Sequence, residues 1–309
     1  MAQAAPADGK NYLDPKTLDK IKRLDLRARL VVEGFITGQH QSPYNGFAVE
    51  FASHREYTPG DEIKHIDWKV WSRTDRLYIK EYEEETNLKC TIILDCSKSM
   101  RYGEASGWSK FDYGATCAAS MAYMLQQQAD SVGLVTFNTR VEKNLTPSGH
   151  PSHLKLMLHE LQQTQPDSQT DISSVFTELA GQIRQRGLVV LISDLFLDRE
   201  TLAETLQQFR IRQNEVILFH VMHEDELEFP FQDNTLFRGL EVTEQLHTEP
   251  RALRRAYIES VDAFLEDVRK ICATAGVDYV LMNTKQHLDA ALSSYLMFRQ
   301  KTRRRATRR

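Results

Sequence analysis

The chain has 309 residues, of which 41% are apolar and 27% are charged, and its formal net charge is −4. These proportions are typical of a soluble globular protein, and the length allows one large domain together with a smaller one. No apolar run approaches the roughly 20 residues that a membrane-spanning helix needs. The N-terminus also lacks the apolar core of a secretion signal. We therefore expect a cytoplasmic protein without a transmembrane segment.

The cysteines and the C-terminal tail limit the possible functions further. No two cysteines have the paired spacing of a zinc site or a redox motif; they are Cys90, Cys96, Cys117 and Cys272. Residues 301–309 carry six positive charges, and without them the net charge of −4 becomes −10. Such a tail can bind nucleic acid or anionic lipid, or it can be a disordered solubilising end. Because the body of the chain is acidic, we favour the disordered end and expect no nucleic-acid partner.

The first 34 residues read as a disordered start followed by a helix. Residues 1–12 have no apolar pattern, whereas Asp14–Glu33 has apolar residues on one helical face and basic residues elsewhere. The apolar positions are Leu18, Ile21, Leu24 or Leu26, and Leu30. We interpret this segment as a docking helix, and a basic amphipathic helix on a membrane surface is the alternative.

Residues 35–86 differ in composition from the preceding segment, with Gly, Pro, Asn and His interleaved with aromatic residues. Turn signals separate short strand-like pieces at Phe47–Phe51 and Arg76–Tyr82. We predict a small β-rich unit that packs on the main domain and does not fold separately, since some fifty residues bury little core alone. Within it, we expect Trp68 and Trp71 to be largely buried.

Residues 87–300 alternate between apolar strands and amphipathic helices, which predicts an α/β fold with a mostly parallel sheet flanked by helices. The predicted strands are Leu88–Leu94, Val132–Phe137, Val141–Leu145, Leu188–Ile192, Val216–Met222, Leu240–Val242 and Tyr279–Met282. The predicted helices are Lys110–Gln128, Leu154–Gln162, Ile172–Arg184, Leu202–Phe209, Ala252–Ala275 and Leu288–Arg299. An acidic, Phe-rich loop is expected at His223–Gly239.

Oxygen-bearing side chains follow two of the predicted strands. Asp95, Ser97 and Ser99 come just after the buried strand Leu88–Leu94, and Asp194 follows Leu188–Ile192. Ligands of open α/β sheets bind at the carboxyl edge of the strands, and a carboxylate with hydroxyls suits a hard cation such as Mg²⁺ or Mn²⁺. The simpler alternative is that these residues form polar turns and cap the next helix.

Thr170 is a further candidate for the same edge. It lies in the polar loop Gln165–Asp171, which leads into the predicted helix Ile172–Arg184. As a single residue it is most economically explained as a helix N-cap. Together with two acids and two serines on loops at one edge, it becomes a candidate metal ligand.

Two sets of residues resemble known families. Asp95, Ser97 and Ser99, followed in order by Thr170 and Asp194, resemble the metal-ion-dependent adhesion site of the von Willebrand factor A fold. The preceding segment resembles the family catalogued as domain of unknown function 58, in the stretches Gly38–Ser42, Glu50–Phe51, Arg55–Trp68 and Tyr78–Glu85. The resemblance covers roughly residues 30–240. One departure is Gln169, which stands where such sites commonly have Gly.

The resemblance implies a von Willebrand factor A-like, Rossmann-like domain with a β-rich unit before it, often encoded beside a MoxR-type AAA+ ATPase. It implies a metal site at Asp95, Ser97, Ser99, Thr170 and Asp194. It brings no enzymatic activity with it. We therefore expect a non-enzymatic, metal-dependent adaptor whose partner is that ATPase or its client.

The alternative is a metal-dependent phosphohydrolase that uses Asp95 as its nucleophile. Such enzymes usually carry a second Asp two residues after the first, and Ser97 stands there instead. The stretch Gly103–Gly107 also lacks the Lys-Ser/Thr of a phosphate-binding loop. Both observations favour the adaptor.

Overall fold

The computed structural model describes residues 18, 21–39, 54–58, 66, 68–74, 76–80, 88–167, 175, 178, 181, 183, 186–240, 245–288, 292–293 and 297. The chain divides into two compact units, one of Gln39–Asn87 and one of Met1–Gly38 with Leu88–Arg309. The predicted disordered ends, 1–12 and 301–309, lie outside the described residues, as does most of the predicted helices Ile172–Arg184 and Leu288–Arg299.

The described helices are α1 (Leu24–Gln39), α2 (Trp68–Thr74), α3 (Lys110–Gln127), α4 (Pro151–Gln163), α5 (Arg199–Ile211), α6 (Glu224–Glu228) and α7 (Pro250–Ala275). The described strands are β1 (His54–Glu56), β2 (Tyr78–Lys80), β3 (Lys89–Asp95), β4 (Ser131–Phe137), β5 (Val141–Ser148), β6 (Leu188–Ser193), β7 (Glu215–Met222), β8 (Thr235–Arg238), β9 (Gln245–Thr248) and β10 (Asp278–Asn283). None of these helices is both long enough and apolar enough to span a lipid bilayer.

The larger unit is built around one sheet. In the described part of the chain its strands follow the order β10-β7-β6-β3-β4-β5. All neighbouring strands are parallel except β4 and β5, which pair antiparallel. This arrangement confirms the α/β, von Willebrand factor A-like fold class expected from the sequence. Because β3 and β6 are parallel neighbours, their carboxyl ends lie side by side.

The core lies on both faces of this sheet. Along β3, Ile92 and Leu94 face one hydrophobic cluster with α1, α3 and α4, whereas Ile93 faces a second cluster with α5 and α7. Each buried aliphatic side chain of this kind contributes roughly 1.5–3 kcal/mol of transfer free energy. The apolar runs in β3, β6 and β7 are therefore explained by helices on both sides. The four cysteines are buried thiols.

The predicted helix Asp14–Glu33 is interrupted, and helix α1 ends later than the sequence predicted. Leu18 is helical and residues 21–23 are not, after which α1 spans Leu24–Gln39; residues 14–17 and 19–20 lie outside the described part of the chain. Its buried face consists of Leu24, Ala28, Val31, Val32 and Phe35, all within the larger core cluster. Leu26, the alternative to Leu24 on the predicted face, is exposed. Phe35, which is buried two residues after Glu33, extends the apolar face beyond the predicted end.

The smaller unit, Gln39–Asn87, contains strands β1 and β2, paired antiparallel, and the short helix α2. The prediction that Trp68 and Trp71 are largely buried is wrong, since they are 55% and 42% exposed. Helical spacing places both indoles on one face of α2, where their rings meet edge to face at 5.9 Å. The predicted strand Phe47–Phe51 lies outside the described residues, and the packing of this unit on the main domain stays a prediction.

The acidic loop after β7 contains more structure than predicted. It holds α6 and β8, and β8 pairs antiparallel with β9. The rings of Phe229, Phe231, Phe237 and Tyr257 contact one another at centroid distances of 4.5–5.8 Å. Leu240 is exposed and lies between β8 and β9, and the rest of the predicted strand Leu240–Val242 lies outside the described residues.

Substituting Gly187 should test how tightly β6 approaches β3. A Cβ atom at this position would lie far inside van der Waals contact with the carbonyl oxygen of Lys89. We expect Gly187→Ala to lower the free energy of unfolding by about 1–3 kcal/mol, the usual cost of overpacking. Gly181→Ala is the matched control, because a Cβ there meets no atom within 4 Å. Equal stability of the two variants in urea unfolding would contradict the close strand packing.

Candidate functional site

Asp95 is the last residue of β3, and its side chain is completely buried at the carboxyl edge of the sheet. Its Oδ1 accepts a hydrogen bond of 2.8 Å from the backbone N–H of Ser97, and its Oδ2 accepts one of 2.6 Å from the Ser193 hydroxyl. Ser193 ends β6, so the parallel pairing of β3 with β6 brings this hydroxyl to Asp95. The carboxylate is therefore held in one orientation by both neighbouring segments.

Ser97 and Ser99 connect Asp95 to the second acid. Their hydroxyl oxygens are 2.9 Å apart, and both residues are buried. The Ser97 side chain opposes the rise in the pKa of Asp95, and the Ser99 side chain helps to lower the pKa of Asp194. The result is a continuous chain of carboxylate, hydroxyl, hydroxyl and carboxylate groups along the edge of the sheet.

Asp194 follows β6 directly and is 8% exposed. Its Oδ1 accepts a hydrogen bond of 3.3 Å from the backbone N–H of Phe196, and its Oδ2 accepts one of 2.8 Å from the Lys110 ammonium. The structure thus brings together Asp95, Ser97, Ser99 and Asp194. Thr170, the fifth predicted residue, lies outside the described residues.

Lys110 is the first residue of α3, and it is only 2% exposed. Its ammonium lies 2.8 Å from Asp194 and 2.8 Å from Glu226 of α6. A positive charge at a helix N-terminus opposes the helix dipole, so the helix itself does not favour Lys at this place. The two carboxylates account for its position.

Burial and neighbouring charges shift the pKa values of Asp95 and Asp194 in opposite directions. Burial and the nearby charge of Asp194 raise the pKa of Asp95 to about 7, against the opposing hydrogen bonds from Ser193 and Ser97. Burial also disfavours ionised Asp194, but the Lys110 ammonium outweighs it and holds the pKa of Asp194 below its ordinary value. Asp194 is therefore the ionised acid, and Asp95 is the acid that gains most from an added positive charge.

His220, on β7, contacts the backbone of Asp194. Burial lowers the pKa of His220 to about 4, so its ring is neutral near pH 7. Its Nε2–H donates to the backbone carbonyl of Asp194 at 3.1 Å, and its Nδ1 accepts from the Tyr279 hydroxyl at 2.8 Å. This tautomer is the one that satisfies both partners.

The sequence did not identify Ser193, Lys110, Glu226 or His220 as part of the site. Only Ser193 could have been found, because it stands beside Asp194 and opposite Asp95 once β3 and β6 are taken as neighbours. Lys110 begins an ordinary helix, and Glu226 is 116 residues away from it in the chain. No local pattern indicates that these two side chains meet.

The donor atoms of the site fit a small divalent cation. Asp95, Ser97, Ser99 and Asp194 supply only carboxylate and hydroxyl oxygens, the ligands that Mg²⁺ and Mn²⁺ prefer. The described residues contain no group of three or more His, Cys, Asp or Glu side chains that could hold a metal. Two of the four residues at this edge are serines, so a metal here would have few charged ligands.

A family model described as protein of unknown function DUF58 matches residues 53–264, so the chain belongs to this family. An uncharacterised protein of Mycobacterium tuberculosis strain H37Rv is 24% identical over 277 residues, which are 88% of this chain and 86% of that protein. A crystal structure of conserved hypothetical protein BatB from Bacteroides thetaiotaomicron is 13% identical, with a TM-score of 0.47, over 69% of this chain and 99% of that chain. The SpRpn10 VWA domain is 11% identical, with a TM-score of 0.39, over 68% of this chain and 95% of that chain.

Asp95→Asn should remove a pH dependence of stability in chelator-treated protein. The pKa of Asp95 is about 7 in the fold, whereas an unfolded aspartate has a pKa near about 3.9. Between these values the folded state binds more protons, so the free energy of unfolding falls as pH rises, by at most about 1.4 kcal/mol per pH unit. The decline ends above the folded pKa, and Asp95→Asn should lack it.

Urea unfolding of both proteins from about pH 5 to about pH 8 measures this difference. Asp194 does not titrate in this range, because its pKa in the fold is below its ordinary value and removing the Asp95 charge would lower it further. Asp198→Asn is a control, because hydrogen bonds from Thr201 lower the pKa of this exposed N-cap residue and its linkage has the opposite sign. A constant stability difference between wild type and Asp95→Asn across this range would show that Asp95 is ionised throughout.

Proposed function

We propose that this member of the family is a non-enzymatic cytoplasmic adaptor that binds a protein partner through a divalent cation, Mg²⁺ or Mn²⁺. Asp95, Ser97, Ser99 and Asp194 would hold the cation, with Thr170 as the fifth candidate. The observation that carries this proposal is the buried chain of two carboxylates and two hydroxyls at the carboxyl edge of the sheet.

The residues of the chain have distinct roles in this proposal. Asp95 supplies the main negative charge, and Ser193 together with the Ser97 N–H fixes its orientation, as outer-shell groups do for metal ligands. Ser97 and Ser99 supply neutral oxygens, and Asp194 orients the Ser99 hydroxyl. A cation bound by few charged ligands would offer an electrophilic position that an Asp or Glu of a partner can complete.

An exposed aromatic residue beside the site supports a protein as the partner. Phe196 is 69% exposed, and its backbone N–H hydrogen-bonds Asp194. Leu195 has a left-handed φ of 54°, and its N–H donates to the Ser193 hydroxyl, so the turn that presents Phe196 is fixed by the site itself. Aromatic residues, including Phe, are enriched in the cores of protein interfaces relative to the rest of the surface.

The expected partner is a MoxR-type AAA+ ATPase or its client, and this part of the proposal follows from the family resemblance. The net charge of the chain is −4, and without the six positive charges of residues 301–309 it is −10. Residues 1–300 should therefore repel acidic surfaces in general. A local positive centre would therefore select one acidic contact against that background. We do not propose nucleic acid as a partner, because the chain without residues 301–309 has a net negative charge.

The environment of Asp95 favours binding over nucleophilic catalysis. Both of its oxygens accept hydrogen bonds, the side chain is completely buried, and its raised pKa of about 7 reduces the nucleophilic form. The phosphohydrolase alternative requires this oxygen to attack a substrate and a second acid nearby to protonate the leaving group. Ser97 at the place of that acid supports the non-enzymatic proposal.

Metal binding can be measured directly by calorimetry with Mg²⁺ and Mn²⁺. Asp95→Asn, which removes the main ligand charge but keeps the side-chain shape, should abolish binding. Ser193→Ala should weaken binding by about 10- to 100-fold, the usual effect of losing an outer-shell group. Asp198→Asn is the matched control, since this exposed residue only caps α5. Equal binding by wild type and Asp95→Asn would refute the metal site.

Partner binding should depend on the same residues. Purified MoxR-type ATPase from the same genome should bind the wild-type protein with Mg²⁺, lose it with chelator and regain it when Mg²⁺ returns. Ser97→Ala/Ser99→Ala should lose the interaction, whereas Ser260→Ala, a change of an exposed serine on α7, and removal of residues 303–309 should keep it. If binding is indifferent to both chelator and the serine pair, recognition does not involve this site.

A further inference from the structure

Lys110 is a buried cation that the proposed metal site does not use. Its ammonium donates at 2.8 Å to Asp194 and at 2.8 Å to Glu226, and the residue is 2% exposed. Burial alone would lower the pKa of Lys110, but the two carboxylates outweigh it and raise the pKa, so the ammonium stays charged. A permanent positive charge therefore stands next to one of the candidate metal ligands.

This charge allows the site to exist without a metal. A buried carboxylate that loses its partner strongly destabilises a fold, because its charge is then uncompensated. Lys110 compensates Asp194 through a contact between elements far apart in the chain, α3 and the loop after β6. The metal-free protein can consequently keep Asp194 ionised and in place.

The same charge opposes a divalent cation. A cation held by Asp95, Ser97, Ser99 and Asp194 would share Asp194 with the Lys110 ammonium. Two positive charges that contact the same carboxylate repel each other strongly in a buried environment. Glu226 offers the ammonium a second acceptor, at the same distance of 2.8 Å as Asp194. Its own carboxylate is anchored, since Oε2 accepts a 2.7 Å hydrogen bond from the backbone N–H of His223.

Glu226 belongs to a short segment with contacts to other parts of the fold. We call His223–Phe229 the acidic turn; it contains α6. The Tyr257 hydroxyl of α7 donates to the backbone carbonyl of Glu226 at 3.0 Å. The Tyr102 hydroxyl, from the loop after Ser99, donates to Asp225 at 3.1 Å. A change in the pairing of Lys110 therefore reaches a segment held by both the site loop and α7.

We propose that Lys110 is an internal counterion that holds Asp194 in the metal-free protein and pairs with Glu226 alone when a divalent cation binds. Metal occupancy would thereby be transmitted to the acidic turn. This proposal rests on the proposed function in one respect, namely that the site binds Mg²⁺ or Mn²⁺.

Two substitutions should change metal affinity in opposite directions. Lys110→Met removes the competing charge, so calorimetry with Mg²⁺ should show binding that is tighter by at least about tenfold. Glu226→Gln removes the second acceptor but keeps an oxygen for the His223 N–H, so the ammonium stays with Asp194 and binding should weaken by about tenfold. Lys285→Met and Glu224→Gln are matched controls, because this exposed ion pair also joins the acidic turn but does not reach the site. The controls should bind as the wild type does.

Hydrogen exchange separates the transfer of Lys110 from a simple electrostatic effect. In the wild type, Mg²⁺ should slow exchange of the amides of residues 223–229, because Lys110 then belongs to Glu226 alone. In Lys110→Met, the metal should leave their exchange unchanged. A Lys110 that only repels the metal would alter the affinity but would leave exchange in the acidic turn unaffected by Mg²⁺ in the wild type, and this result would overturn the proposal.

The remaining outcomes are distinguishable from failure of the proposed function. If the wild type binds Mg²⁺ and Lys110→Met binds it equally or more weakly, the counterion proposal is wrong and the metal site stands. If neither protein binds Mg²⁺, both proposals fail. If Lys110→Met does not fold, Glu226→Gln decides the question. An Mg²⁺ affinity of Glu226→Gln that equals or exceeds that of the wild type would also overturn the proposal.

Discussion

Two carboxylates, Asp95 and Asp194, lie at the ends of neighbouring parallel strands with almost no exposure to water. Removing an ionised carboxylate from water costs several kcal/mol unless charges and hydrogen bonds compensate it. The surrounding groups provide this compensation: the Ser193 hydroxyl for Asp95, the Lys110 ammonium for Asp194, and two serine hydroxyls between the acids. The geometry of the site is largely a solution to this electrostatic problem.

The sheet supplies the precision that the site needs. Parallel pairing of β3 with β6 sets Leu94 opposite Ile192, so the residues that follow each strand emerge at the same edge. The residues of these strands are buried on both faces, and their packing keeps that register. A one-residue slip would turn the apolar side chains to the wrong faces and separate Asp95 from Ser193. The position of the site therefore depends on the same apolar contacts that stabilise the domain.

How much of the fold and the site could be predicted from the sequence depends on how far apart in the chain the interacting residues are. Strand and helix periodicity is local, so the α/β class and the placement of Asp95, Ser97, Ser99 and Asp194 at one edge were accessible from sequence. The Lys110–Glu226 contact joins residues 116 positions apart and has no local signature. The burial of Trp68 was predicted wrongly because indole side chains are usually buried. The sequence did not show that Trp68 and Trp71 lie on the same face of α2, where the two rings contact each other and remain partly exposed. Thr170 stays a prediction from the order of the motif.

The charges around the site explain why recognition would be conditional. Asp95, Asp194 and Glu226 against one ammonium leave a formal charge of −2 when all are ionised. The metal-free protein reduces this charge through protonation, as the raised pKa of about 7 of Asp95 indicates. A proton and a divalent cation are thus alternative ways to balance the same buried acids, but only the cation would add a coordination position that an incoming carboxylate can fill. With the cation the formal charge of −2 would become zero, so an acidic partner would lose the repulsion of the metal-free site and gain a ligand position, without a rearrangement of the sheet.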